Sequence, residues 1–268
     1  MLQEPSAWDT VEASYDNIFA PVLVAYSRTA VELAGPDANA CVLDVAAGPG
    51  TLALLVAPAV RRVAALDFSP GMIERLRAVA RARSLANVEA VVGNGQALPY
   101  ADAEFDAAFS MFGLIFFADR ALGLRELRRV LRPGGRAVVA SWAPIEPTAP
   151  PMVLAECLRE ALGRPPGPPL EIPLASPVTM RGALLDAGFE EVEVSYDTHE
   201  FVAADVEAFW SAQSRANVLV TGLMRGMSTD DRGHFEARVL DALRERLGTG
   251  EVRYPQTALL GLGVRGRG

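Results

Sequence analysis

Val42-Leu43-Asp44-Val45-Ala46-Ala47-Gly48-Pro49-Gly50-Thr51 decides the fold. Val42, Leu43 and Val45 are the apolar side chains that a strand covered on both faces requires. Gly48 and Gly50 free the backbone to turn, and they let a ligand approach where a Cβ would stand. Thr51 and the apolar run from Leu52 to Val56 open a buried helix. A strand feeding a helix through such a turn aims the helix N-terminus out of a sheet edge, a natural place for a ligand.

Working outward, Ala64-Ala65-Leu66-Asp67 ends the next apolar run on an acid. An acid at a strand tip can accept hydrogen bonds from both hydroxyls of a ribose. A glycine turn followed by an acid about 20 residues on is the spacing of a nucleoside-containing cofactor site. Gly48-Pro49-Gly50-Thr51-Leu52-Ala53 also fits G-x-G-x-x-A, so this pattern alone leaves a dinucleotide open.

The whole run from Asp44 to Gly50 resembles the first motif, D-x-G-x-G-x-G, of the class I S-adenosylmethionine-dependent methyltransferases. Ala46 replaces the first glycine; Gly48 and Gly50 hold the second and third. Alanine is a small departure that a negative φ would accommodate. The resemblance implies that Asp44 sits near the methionine ammonium and that Asp67 binds the ribose.

Gly93-Asn94-Gly95-Gln96-Ala97-Leu98-Pro99-Tyr100 resembles the G-D-A-x-x-L-P-F loop of the ubiquinone/menaquinone-biosynthesis type, which holds the adenine. Asn94 stands at the Asp position, and its side-chain oxygen can still accept from the exocyclic amine. The N–H of Gly95 or Gln96 is placed to donate to the ring. Glu126–Gly135 matches E-L-x-R-V-L-R-P-G-G, and Leu184–Val192 resembles L-L-x-x-A-G-F-x-x-V. Ala47, Phe68, Met72, Ser110, Met111 and Phe112 complete the implied cofactor set, with Tyr15 as a lid contact. The N-P-P-Y/F signature of enzymes acting on planar amides and nucleobases is missing; Ser110-Met111-Phe112-Gly113 stands in its place.

The implied fold is Rossmann-like α/β: a seven-stranded, mostly parallel sheet with an antiparallel last strand, helices on both faces and helical insertions forming a lid. Strands are expected near 41–46, 62–67, 88–92, 105–110, 136–141, 191–201 and 252–265. Ser69-Pro70 and Ser176-Pro177 read as helix starts, with Ser as cap and Pro at the first position. One domain spans 1–268. Residues 1–38 form a helical cap and 39–142 the cofactor-binding core. Residues 143–176 and 203–247 are insertions that build the acceptor pocket. Phe19, Phe116, Trp142, Met152 and Trp210 are the expected acceptor contacts.

The implied activity is methyl transfer from S-adenosylmethionine, with S-adenosylhomocysteine as product, to an O-, N- or C-nucleophile on a small molecule. Positioning and desolvation carry most of such a reaction, because the cofactor brings the activation. Any general base would be sought first at His199 or His234, which titrate nearest neutrality. Two other readings stand beside this one: a non-catalytic cofactor binder, and an NAD(P)-dependent oxidoreductase. The second lacks a Tyr/Lys hydride pair, since all 25 basic residues are arginine.

Composition narrows the partners. A net charge of −8 argues against nucleic acid. Arg125, Arg128, Arg129 and Arg132 share a helix with Leu124, Leu127 and Leu131 and read as its solvated face. Cys41, Cys157 and the two histidines have no metal-ligand spacing. A cytoplasmic protein with no metal, no membrane span and a possible homodimeric assembly is the expectation.

Overall fold

The structure, a computed structural model, describes residues 20–165 and 171–267. The expected lid contacts Tyr15 and Phe19 lie outside the described residues. Seven strands form one sheet in the order β3-β2-β1-β4-β5-β7-β6. They are β1 (Cys41–Val45), β2 (Arg62–Asp67), β3 (Val88–Val92), β4 (Phe105–Met111), β5 (Leu131–Trp142), β6 (Glu190–Ala203) and β7 (Val252–Val264). Neighbours from β3 to β5 run parallel, whereas β7 is antiparallel to both β5 and β6. This is the mostly parallel sheet with an antiparallel last strand that the motifs imply.

Alternation along the strands explains the layers. Val42, Val63, Ala65, Val138 and Ala140 face one side. There they meet α1 (Ala20–Ala34), α2 (Thr51–Val56) and α3 (Pro70–Ala82). Leu43, Val45, Ala64, Leu66 and Val139 face the other, against α4 (Arg120–Val130) and α6 (Pro177–Asp186). With both faces covered, the central strands read as continuous apolar runs.

The helix starts follow local chemistry. Ser69 Oγ accepts from the Met72 N–H, with Pro70 in the first turn of α3. Asp119 caps α4 through the Leu122 N–H, and Ser176 and Thr179 form a capping box on α6. β5 starts earlier than the alternation suggested. Leu131 pairs with Phe105, and the register then shifts before Ala107 meets Arg136.

β6 and β7 are long, with 14 and 13 residues. Their far ends carry a separate hydrophobic cluster built with α5 (Pro150–Ala161), α7 (Val206–Ala216) and α9 (Thr229–Leu247). α8 (Val218–Met224) adds Val220 and Met224 to it. The two insertions therefore meet in space, although residues 177–202, which hold α6 and most of β6, separate them in the chain.

Candidate cofactor and acceptor site

The C-terminal ends of β1 to β5 open onto one cavity of about 1450 Å³. It lies where the strand order reverses between β1 and β4, the switch point at which open α/β sheets take ligands. Asp44 and Ala46–Gly48 line it from β1, Asp67, Phe68 and Met72 from β2 and α3, and 93–96 from the loop after β3. Met111, Phe112, Phe116 and Trp142 complete the wall from β4 and β5.

The two acids are held differently. Asp67 Oδ2 accepts from the Gly48 N–H at 2.8 Å, and Oδ1 accepts from the Ser69 N–H at 2.9 Å. Both oxygens are thus oriented by backbone, and each carboxylate oxygen has further acceptor capacity. Asp44 is buried, and among the described residues Oδ2 accepts a single 3.1 Å bond, from the Ala53 N–H. Burial pushes its carboxyl up to about 7; the Ala53 bond pulls the other way, and the charge of Asp67 adds to the rise. A carboxyl so placed favours a ligand that brings a cation.

The turn is left-handed at Gly48 (φ +55) and Gly50 (φ +95). A Cβ on Gly48 would meet nothing within 4 Å, so the cradle is open there. Gly50 serves packing instead: a Cβ would lie 2.7 Å from Leu76, and the residue does not line the cavity. Ala46 corrects an expectation. Its φ is +58, not negative, so the alanine occupies the conformation that suits the motif's glycine.

The loop after β3 is internally braced. Asn94 Oδ1 accepts from the Gln96 N–H at 2.9 Å, and Gln96 Oε1 accepts from the Asp119 N–H at 2.6 Å. Of the two amides considered for the adenine, that of Gln96 is already engaged, which leaves Gly95. Gly95 also permits close packing, since a Cβ there would fall 2.4 Å from Phe117 and 2.8 Å from Val45.

An aromatic wall stands beside β4. Phe112 adopts φ +60, an outlying conformation for a bulky side chain. Its ring stacks on Trp142 at 4.0 Å, and Tyr26 meets both rings edge-on at 5.5 and 5.6 Å. Tyr26 is fully buried and donates its hydroxyl to the Gln256 carbonyl at 2.7 Å. Burial holds its phenol up at about 12. In the sequence it was only one apolar position of the first helix; no motif marks it.

Several expected residues lie elsewhere. Ser110 is fully buried beneath the wall and does not line the cavity. Met152 follows Pro150 and Pro151, which do line it, but does not itself reach it. Trp210 packs on Phe235 in the cluster of the insertions. His199 is set against Tyr26, with ring centroids 4.6 Å apart, and its Nε2 is 3.0 Å from Asp197. His234 is exposed on α9, because its neighbour Phe235 takes the buried face and one helical step rotates 234 to solvent. Neither histidine lines the cavity. Residues that no motif flagged do: Gln213, Asn217 and Leu219 from α7 and α8, and Thr257 from β7. Among the described residues no cluster suits a metal, and no helix is long and apolar enough to cross a membrane.

Comparison with known proteins agrees with this geometry. Residues 42–135 match the family described as a methyltransferase domain. A demethylmenaquinone methyltransferase of Thermus thermophilus is 43% identical over 122 residues, covering 44% of this chain and 54% of the relative. A ubiquinone/menaquinone biosynthesis C-methyltransferase of Rubrivivax gelatinosus is 40% identical over 111 residues, 41% of this chain and 43% of the relative. The chain thus spans about half the length of the relatives it matches. The crystal structure of the YcgJ protein of Bacillus subtilis superposes with a TM-score of 0.61 at 18% identity, covering 91% of this chain and 99% of that one, a likeness of fold. Residues 42–135, the core that builds the cavity, thus match a methyltransferase domain, and this core is similar in sequence to methyltransferases of the ubiquinone/menaquinone-biosynthesis type.

Proposed function

We propose that the protein transfers a methyl group from S-adenosylmethionine to a small, largely apolar acceptor. One observation carries the reading: Asp44, the open Gly48 turn, the amide-oriented Asp67 and the braced Asn94 loop converge on a single cavity. These residues fit the cofactor. Asp67 would hold the ribose hydroxyls, Asp44 would face the methionine ammonium, and Asn94 with Gly95 would take the adenine. The bound cofactor supplies a methyl group already activated on a sulfonium.

The chain's own contribution is placement. Phe112, Phe116 and Trp142 exclude water from the wall beside β4 and offer an apolar surface to the acceptor. Holding two reactants aligned contributes up to ~7–11 kcal/mol of barrier reduction without a nucleophilic side chain. Neither histidine takes part as a base in this scheme. The two insertions, which both reach the cavity, act as its lid, and the enzyme works in the cytoplasm.

Calorimetric titration with S-adenosylmethionine, S-adenosylhomocysteine and NAD(H) tests the reading. Micromolar binding of the first two without NAD(H) is expected. Binding of NAD(H) alone would overturn it. Tight cofactor binding with no methylation across an acceptor panel would favour the non-catalytic binder instead.

A further inference from the structure

The cavity wall contributed by the second insertion contains two polar side chains whose orientations are fixed. Gln213, on α7, lines the cavity and is only 5% exposed. Asn217 follows one turn later, at the junction of α7 and α8, and lines it too.

Their polarity follows from a backbone amide. The Leu219 N–H can only donate, and it lies 3.0 Å from one terminal atom of Asn217. That atom must be Oδ1, so the other is Nδ2, a donor. Nδ2 lies 2.9 Å from a terminal atom of Gln213, which must therefore be Oε1. The remaining atom of Gln213 is Nε2, which donates to no acceptor among the described residues. Nε2 is not among the buried atoms left without a partner, so on a residue that lines the cavity it is an accessible donor that a ligand oxygen can meet.

The surrounding charge limits which oxygen fits. Asp44, Asp67 and Glu146 line the same cavity. Arg253 is the one cation lining it among the described residues, and it already bonds to Glu200 at 2.6 Å and Glu251 at 2.9 Å. An anionic acceptor would meet three carboxyls and an arginine already engaged by two carboxylates. An uncharged oxygen would meet an oriented donor.

We propose that Gln213, oriented by Asn217, donates a hydrogen bond to an uncharged oxygen of the acceptor and so selects neutral, carbonyl-bearing apolar molecules. Gln213 is the contact; Asn217 is a positioning residue. The inference rests on the reading of this cavity as the acceptor site.

The test compares three bicyclic probes on the full chain by calorimetry: 1-tetralone, which only accepts, tetralin, which does neither, and indole, which donates. The wild type should prefer tetralone to tetralin by about five-fold, the worth of one neutral hydrogen bond. Gln213→Met, similar in volume, should bring the two affinities together. Asn217→Asp is the sharper variant. Its carboxylate still caps α8 but cannot donate to Gln213, so the glutamine amide turns round and presents Oε1 to the cavity. Preference should then pass from tetralone to indole, an inversion that mere loosening of the helix junction would not produce.

Absence of ketone binding, equal tetralone and tetralin affinities in the wild type, or a preference that survives either variant overturns the assignment. S-adenosylhomocysteine affinity, read in the same proteins, should be unchanged by both variants. Its absence in the wild type would sink the methyltransferase reading, while the tetralone-to-tetralin ratio still judges Gln213.

Discussion

A Cβ built on Gly113 would lie 2.3 Å from the Cβ of Ala46. The alanine that stands for the first motif glycine therefore fills, with its methyl group, the space a side chain at 113 would need. It does so at φ +58, where a Cβ is unfavourable by roughly 1–2 kcal/mol. Ala46→Gly should raise stability by about 1 kcal/mol, or ~2–4 °C in Tm. Gly113→Ala should cost about 1–3 kcal/mol in the wild type and much less in the Ala46→Gly background. Additive effects in a double-mutant cycle by chemical denaturation would show that the two positions do not compete for space.

Asp44 ties cofactor affinity to pH. In the proposed site the cofactor's ammonium needs the Asp44 carboxylate, and burial holds the carboxyl at about 7 in the free protein. As pH falls below 7, protonation must be reversed before binding, so affinity should drop, approaching ~10-fold per pH unit. Calorimetry at pH 5.5, 6.5 and 8 reads this directly. A flat profile would mean that Asp44 does not face the ammonium.

The same carboxyl has a stability cost of opposite sign to a salt-bridged acid. Its folded value, about 7, lies above the 3.8 usual for a free aspartate. The folded chain thus binds the proton more tightly than the unfolded chain, and stability falls as pH rises from near 4 to near 7. Asp44→Asn keeps an acceptor for the Ala53 N–H and removes the charge. It should stabilise the free protein by roughly 1–4 kcal/mol at pH 8 and by little at pH 4, while weakening cofactor binding. Equal gains at both pH values would refute the titration argument.

Part of the cavity lining was legible in the sequence, because the close backbone approach and ribose recognition proposed for it demand particular residues at particular spacings. Asp44, Gly48, Asp67 and Asn94 all reach the cavity. The sign of φ at Ala46 was not legible, since it depends on how β1 and β4 meet the turn, not on the residue. The acceptor half was harder. Trp210 and Met152 were chosen as large apolar residues in the insertions, but an insertion must first bury its own core, and Trp210 does that. Gln213 reaches the cavity, and Tyr26 packs against Phe112 and Trp142 in its wall, from helices outside the matched core, by packing that no local pattern encodes.

Asp67 joins two functions that are usually treated apart, since the carboxylate expected to bind ribose also holds the glycine turn through the Gly48 N–H. Asp67→Asn replaces one oxygen with an N–H2 group, which must face either the Gly48 or the Ser69 donor. Cofactor affinity should fall by about 1–3 kcal/mol, roughly 5- to 150-fold, with a measurable loss of stability. Full cofactor affinity in this variant, by calorimetry, would remove Asp67 from the ribose site.

The histidines supply the last test. His199 sits edge-on to Tyr26 and beside Asp197, behind the wall that Phe112 and Trp142 present to the cavity. His234 faces solvent on a helix whose buried face belongs to Phe235, Val239 and Leu243. Since neither lines the cavity, neither is expected to move a proton in the proposed reaction. His199→Ala should lower stability by about 1 kcal/mol through the lost ring contact and leave kcat and the pH–rate profile within two-fold. His234→Ala should change neither quantity. A His199→Ala enzyme that is stably folded, binds cofactor normally and yet loses the neutral limb of its pH–rate profile would establish a base that this arrangement does not allow.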